Sequence, residues 1–202
     1  DATKQPIKTT AFNTQIPVQR NYLTTIIGNV LTTATEIEVS IDDNFAGRHY
    51  FNLWDGKSIK EPVLENEIYI IYEAAELAWF ADQVNNKNNK FSGKTLKLGK
   101  DIHLNHELWT PIGATGKFEG TFDGCYKDVD HKIEGLFVSV EGKAAAGLFA
   151  NAKYVRNLTV LNSQIYGQYK TGVIVGDGLC SRIDNCHVDG CEVVSTPYNK
   201  DE

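Results

Sequence analysis

Acidic side chains are concentrated around the loop 125–131, where Asp128, Asp130 and His131 follow Asp123 closely. Clustered carboxylates can bind calcium or, when two of them face each other at a fixed separation, act as the acid and base of glycoside hydrolysis. Asp also forms turns in solvated loops, and no second carboxylate cluster recurs further along the chain. We therefore interpret Asp123, Asp128 and Asp130 as an acidic, solvated loop and keep a cation or sugar site as the alternative.

Histidine and cysteine can supply metal ligands or a nucleophile, but their spacing here fits neither role. The four cysteines are Cys125, Cys180, Cys186 and Cys191, with spacings of 55, 6 and 5 residues that match no zinc or redox motif. His103 and His106 are predicted to lie on a strand and its exit, where a three-residue spacing does not align two ligands. We expect no metal site, no cofactor and no catalytic residue.

Three copies of one pattern in the C-terminal third of the chain predict the elements that position these residues. The copies begin at Ile133, Val155 and Ile183, which are 22 and then 28 residues apart. A period of roughly 20–50 residues is typical of stacked or wound repeats. Aligning the copies predicts two inward apolar columns: Leu136, Leu158 and Cys186 in one, and Val138, Val160 and Val188 in the other.

The polar positions of the same alignment predict the outer surface. One outward column alternates in charge and contains Glu134, Arg156 and Asp184. Neighbouring strands about 4.8 Å apart would bring these charges into contact. The next column contains residues that tolerate the left-handed backbone of a bend, namely Gly135, Asn157 and Asn185. Each copy is therefore predicted to contain two short strands joined by a corner.

These patterns predict an all-β fold, a short parallel β-helix of about four coils between residues 94 and 197. An amphipathic helix at about 73–86, with Leu77, Phe80 and Val84 at helical spacing, is predicted to cap its N-terminal end. Two β-rich segments within residues 16–41 predict a hairpin. We place the domain boundary after residue 58, which gives a hairpin segment 1–58 and a capped β-helix 59–202.

Two resemblances to known families support this architecture. The order AAELAWFADQVN, KTLKLGKDIHL, WTPIG, FEGTFDG, IEGLFV and AGLFANAKYVRNLTVLNS, across residues 66–195, resembles the GLUG-motif regions of bacterial surface proteins. The phrase IPVQRNYLTTIIGNVLTTATEIEVSID resembles the last strands of fimbrillin-like β-sandwich domains in adhesion proteins of gut anaerobes. The resemblances imply a right-handed β-helix and a secreted or outer-membrane-attached location.

Composition argues against nucleic acid as a partner and against a transmembrane helix. The formal net charge is −6 and no basic stripe is present, which argues against nucleic acid. No apolar run reaches the roughly 18 residues of a transmembrane helix. The chain begins with Asp and contains no Met, so we expect that a leader or a larger upstream region has been removed.

Aromatic and polar residues on the outer surface are the best remaining candidates for ligand binding. The alignment places Phe137, Thr159 and His187 in one outward column, with Tyr166 and Tyr169 in nearby loops. Aromatic side chains contribute large contact areas and a polar edge, as binding of glycans or proteins requires. We therefore predict a ligand-binding surface at these five residues.

The sequence favours a non-catalytic cell-surface or adhesion-type module whose β-helical face binds host, matrix, glycan or neighbouring subunits. One alternative is a carbohydrate-active β-helix of the polysaccharide lyase or glycoside hydrolase kind, and another is a structural spacer of a larger surface protein. The C-terminal segment after Val194 contains no helix to cover the last coil. Because an uncovered coil exposes strand edges, we also expect self-association, through either the N-terminal hairpin or the C-terminal coil.

Overall fold

The computed structural model describes residues 53–178 and 181–197, which belong to one compact unit spanning Asn52–Glu202. The hairpin predicted within residues 16–41 and the thiol of Cys180 lie outside the described residues. The domain boundary after residue 58 therefore stays a prediction.

The described residues form a β-solenoid with three faces of parallel strands. The first face contains β2 (Ile68–Ile71), β3 (Thr95–Leu98), β5 (Thr121–Asp123), β11 (Tyr154–Arg156) and β15 (Arg182–Asp184). The second contains β4 (Ile102–His103), β8 (Lys132–Glu134), β12 (Thr159–Leu161) and β16 (His187–Asp189). The third contains β9 (Phe137–Ser139), β13 (Gln164–Gly167) and β17 (Glu192–Ser195). Each pass across the faces is one coil.

The remaining elements cover the N-terminal end of the solenoid, form a hairpin inserted into one coil, and connect the third face of a coil to the first face of the next. At the start of the first face, β1 (Val63–Glu65) pairs antiparallel with β2 and is followed by helix α1 (Ala74–Asn85). An antiparallel hairpin is formed by β6 (Cys125–Tyr126) and β7 (Val129–Asp130). A parallel pair, β10 (Ala145–Ala146) and β14 (Lys170–Thr171), lies in the segments that close the second and third coils.

The predicted fold class is confirmed. The solenoid has about five turns, against the four predicted: an opening turn at β2, followed by four coils that we number from β3. The capping helix is also confirmed, and its apolar side packs into the core. Phe80 of α1 is fully buried, with its ring centroid 5.0 Å from that of Phe118 and 6.1 Å from that of Phe122. Burial of these rings stabilises the N-terminal end of the solenoid.

Part of the predicted repeat alignment is wrong. Val155 does pair with Ile183, as predicted, but its other neighbour is Phe122. Ile133 instead pairs with Val160 of the second face. The hairpin Cys125–Asp130 is inserted between β5 and β8, and it displaces the first copy from the expected spacing.

The corners between strands have the predicted backbone chemistry, although they form two columns rather than one. Asn157 and Asn185 lie between the first and second faces with positive φ values of 52° and 47°. Gly135 (φ 71°) lies between the second and third faces, where its equivalents are Asn162 (φ 47°) and Gly190 (φ 63°). Asn and Gly tolerate this left-handed conformation better than other residues, so their positions define where the chain turns.

The predicted column of alternating charge exists on the first face with different members. Its residues, in register across β3, β5, β11 and β15, are Lys97, Asp123, Arg156 and Asp184. Asp123 therefore occupies the place assigned to Glu134, which lies on the second face beside Leu161. We call this column the charge ladder.

Candidate functional site

The third face carries a partly exposed apolar strip, which we define as Leu108, Phe137 and Tyr166. Leu108 forms a parallel bridge with Phe137 and is 58 % exposed. The rings of Phe137 and Tyr166 meet edge to face, with centroids 6.1 Å apart. Strands β9 and β13 hold both rings on the outside because Val138 and Ile165 point into the core. The strip is thus an aromatic surface on a rigid support.

A shallow polar recess of about 430 Å³ lies on the same face. It is lined by His106, Asn162, Ser163, Gln164, Gly190 and Glu192. The recess follows the corner between the second and third faces, where the backbone N–H of His106 donates to the carbonyl of Gly135 and that of Asn162 to Asp189. Stacked corners therefore build the recess from consecutive coils.

Glu192 joins the strip to the recess. Its Oε2 accepts a hydrogen bond from the Tyr166 hydroxyl at 3.0 Å and one from the Gln164 side-chain amide at 3.3 Å. The bond to the Glu192 carboxylate raises the pKa of Tyr166, so its hydroxyl stays protonated and remains a donor. The site thus offers an aromatic edge, an amide and a carboxylate within one patch.

The residues of the predicted binding surface divide between two faces and a loop. Phe137 and Tyr166 are together in the apolar strip, whereas Thr159 and His187 are in register with each other on the second face. The predicted column of Phe137, Thr159 and His187 is therefore wrong, since the neighbour of Phe137 on the next coil is Gln164. Tyr169 is exposed in the turn after β13, and its ring contacts Lys170.

The three aspartates of the predicted acidic loop do not share one environment. Asp128 and Asp130 are exposed on the β6–β7 hairpin. Asp123 is buried at the end of β5, where its Oδ2 lies 2.9 Å from Arg156 and 3.3 Å from Lys97. Its position within the charge ladder separates it from the solvated loop.

The pKa of Asp123 reflects these contacts. Burial alone would raise it, but the hydrogen bonds from Asn157 and the Cys125 amide, with the charges of Lys97 and Arg156, lower the pKa below its ordinary value. Asp123 is therefore ionised at neutral pH. A carboxylate held in this way stabilises the stacking of coils.

Histidine and cysteine are placed singly in the described part of the chain. No group of three or more His, Cys, Asp or Glu side chains there could hold a metal ion. His103 lies beside Glu134, with 3.6 Å between Nδ1 and Oε2. Cys125, Cys186 and Cys191 are free thiols. Burial, which comes first among the causes, raises the pKa of Cys186, and this disfavours a reactive thiolate.

Sequence reasoning missed the recess, because none of its six lining residues was predicted to belong to a site. Gln164 and Glu192 follow Phe137 at 27 and then 28 residues, so the sequence did carry a signal. This spacing becomes visible only when Ile133, the start of the first copy, is aligned with Val160 rather than with Val155. The contributions of His106 and Leu108 had no signal, because the first coil is irregular.

The stacking of parallel coils defines the class of this protein as a β-solenoid. A family model described as a family of unknown function, DUF6562, matches residues 1–88. The matched region includes β1, β2 and α1. Searches of curated proteins and of solved structures found no match. Among the described residues, no helix has the length and apolar character needed to cross a membrane.

Proposed function

We propose that the chain is a non-catalytic module of a secreted or cell-surface protein, whose third face binds a neutral glycan. The contact network around Tyr166 carries the proposal, because its ring packs against Phe137 while its hydroxyl donates to Glu192. A sugar presents C–H groups to aromatic rings and hydroxyls to carboxylates and amides. Rigid aromatic residues with a polar edge are suited to both contacts.

Charge favours a neutral ligand over an acidic one. Glu192 is the carboxylate of the recess, and the whole chain carries a formal net charge of −6. Both repel sialic and uronic acids at low ionic strength. Sugar hydroxyls, in contrast, donate readily to a carboxylate that is already oriented by Tyr166 and Gln164.

The surface location is supported by the resemblances of the sequence. Residues 66–195 resemble the GLUG-motif regions, and residues 1–50 resemble the final strands of fimbrillin-like domains, both of which occur in bacterial surface proteins. An extended, rigid face is what an adhesion module needs in order to present a binding site at a distance from the cell.

The arrangement of carboxylates supports binding rather than hydrolysis. Glycoside hydrolysis requires two carboxylates across one bond, roughly 5–10 Å apart. Asp123 is engaged in the charge ladder, while Asp128 and Asp130 lie on the inserted hairpin. Asp123 is thus occupied by its cationic partners rather than offered to a ligand.

An oligosaccharide array containing neutral, sialylated and uronic structures tests the proposal. We expect the wild-type chain to bind neutral structures, and the double variant Phe137→Ala/Tyr166→Ala to lose at least tenfold in affinity. The matched control is Thr159→Ala/His187→Ala, which removes outward side chains from the second face and leaves binding unchanged. Equal loss in both variants, or binding restricted to uronic structures, would contradict the proposal.

The role of the Glu192 carboxylate in binding can be tested separately. Replacing Glu192 with Gln keeps the size of the side chain but removes the charge that accepts from sugar hydroxyls. We expect a lower affinity for neutral glycans, measured by titration calorimetry on the best array hit. We also expect a smaller difference between the affinities for neutral and acidic glycans. Unchanged selectivity would show that the recess does not contact the ligand.

A further inference from the structure

The outward side chains of the third face change from apolar to polar along the axis of the solenoid. One column of them crosses four neighbouring coils, and its members are Leu108, Phe137, Gln164 and Glu192. We call these four residues the mixed column. Two apolar groups are followed by an amide and then by a carboxylate, at the spacing of about 4.8 Å that separates neighbouring strands. The column lies on the side of the stack, so its contact with solvent does not depend on how many coils follow.

The apolar end of the mixed column is held by a buried neighbour. The backbone N–H of Trp109 donates to the carbonyl of Phe137 at 2.8 Å, and its indole N–H donates to the carbonyl of Leu148 at 3.1 Å. Trp109 is buried, whereas the adjacent Leu108 is largely exposed. A ligand that covers Leu108 therefore buries apolar surface without first having to order the backbone.

Gln164 places an amide donor next to the Phe137 ring. Its side-chain nitrogen donates to Oε2 of Glu192 at 3.3 Å, which orients the amide on the outer surface. Because an amide nitrogen carries two hydrogens, a ligand can accept from it as well. The mixed column thus combines an apolar contact, an amide donor and a carboxylate acceptor in that order.

We propose that the glycan bound by the third face is an oligosaccharide of N-acetylated amino sugars, an inference that rests on the function proposed above. An acetamido group has a methyl group and a carbonyl oxygen side by side. The methyl group packs against Leu108 and Phe137, and the carbonyl oxygen accepts from Gln164. Glu192, one strand further along, accepts from a hydroxyl of the next sugar.

Two other classes of neutral sugar match the mixed column less completely. A simple hexose would place a hydroxyl against Leu108, where it loses water without gaining a hydrogen bond. A 6-deoxy sugar has a methyl group but no carbonyl beside it, so it gives Gln164 no acceptor. An acetamido sugar makes both contacts and stays uncharged, which suits a chain whose formal net charge is −6.

Titration calorimetry with chitotriose and cellotriose tests the inference. The two trimers share their linkage and differ at C2, where chitotriose carries acetamido groups and cellotriose carries hydroxyls. We expect the wild-type chain to bind chitotriose roughly tenfold more tightly. Equal affinities, or binding of other neutral glycans but of neither trimer, overturn the inference and leave the proposed function intact. Failure of the proposed function has a different signature, namely no binding to any neutral glycan of the array.

Variants of the mixed column read the ratio of the two affinities, which a general loss of folded protein does not change. Leu108→Ser removes the apolar contact and Gln164→Leu removes the amide donor, so each is expected to lower the preference for chitotriose roughly fivefold. The matched control is Leu64→Ser, since Leu64 of β1 is 55 % exposed and Leu108 is 58 % exposed. It is expected to leave the ratio unchanged. An unchanged ratio in both column variants overturns the inference.

Saturation-transfer NMR reads the proposed contact directly. In the complex of the wild-type chain with chitotriose, we expect the acetamido methyl protons to receive the strongest saturation. In Leu108→Ser, that signal is expected to fall relative to the signals of the sugar ring protons. Strongest saturation of the ring protons in the wild-type complex overturns the placement of the acetamido group on the mixed column.

Discussion

The third and the last coil share one pattern of strands and corners but differ in how much of it is buried. Val160 and Val188 are neighbours in register on the second face, yet the first is fully buried and the second is 40 % exposed. The side chains are identical, so the difference arises from what covers them. Burial in a solenoid is supplied by the next coil, and the stability of a residue depends on its position in the stack.

The largest expected change in the free energy of unfolding comes from shortening the buried member of this valine pair. Val160→Ala is expected to lower the free energy of unfolding by about 2–3 kcal/mol, because it removes buried methyl groups and leaves a cavity. Val188→Ala is expected to cost less than about 1 kcal/mol, since its side chain is only partly removed from water. Urea denaturation at low protein concentration measures both. Equal losses would contradict the contrast between the two coils.

The charge ladder offers the next comparison. Asp123→Asn is expected to cost about 2 kcal/mol, because it leaves Lys97 and Arg156 without their shared, buried carboxylate. Asp184, at the open end of the ladder, is reached by solvent, so Asp184→Asn is expected to have a much smaller effect. The same denaturation experiment measures the two variants. A larger loss at Asp184 would mean that the end of the stack is the better covered.

Acid pH probes the same carboxylate without a change of side chain. The folded pKa of Asp123 lies below its ordinary value of 3.8, so its stabilisation is complete above that value and is lost as the pH falls through the folded pKa. We expect the melting temperature to fall between about pH 5 and pH 2. In Asp123→Asn this part of the fall disappears. An unchanged pH profile in the variant would exclude Asp123 as a cause.

The smallest expected effect comes from removing the inserted hairpin. Deleting Cys125–Asp130 joins Gly124 to His131, and His131→Leu then supplies the inward residue that Leu158 provides in the next coil. The repeat becomes uninterrupted, so the melting temperature is expected to stay within about 4 °C of the wild type. Circular dichroism measures it. Loss of cooperative unfolding would show that the hairpin is part of the core.

The sequence predicted the fold because its local signals agree with the global winding. Apolar residues alternate along short strands, and Asn157 and Asn185 mark corners that require a positive φ. The amphipathic pattern of α1 also indicated a helix with one buried side. Each of these signals depends on a few adjacent residues, which sequence reasoning can evaluate.

The alignment of one coil with the next could not be predicted in this way, because two parts of the same coil share one sequence pattern. Strand, corner and strand follow one another twice within a coil, with the corner at Asn157 and again at Asn162. The segment beginning at Ile133 therefore matches either corner equally well, and the hairpin insertion removes the spacing that would decide. The recess was missed for the same reason, because its residues come together only in the correct register.

The most direct test of the account is a cross-link that reads this register. In a variant without the four native cysteines, Lys132→Cys with Thr159→Cys places two outward side chains on paired positions of β8 and β12, within the reach of a disulfide. Lys132→Cys with Tyr154→Cys represents the 22-residue alignment. We predict a disulfide, seen by mass spectrometry after mild oxidation, in the first pair and none in the second. The reverse result would contradict the solenoid described above.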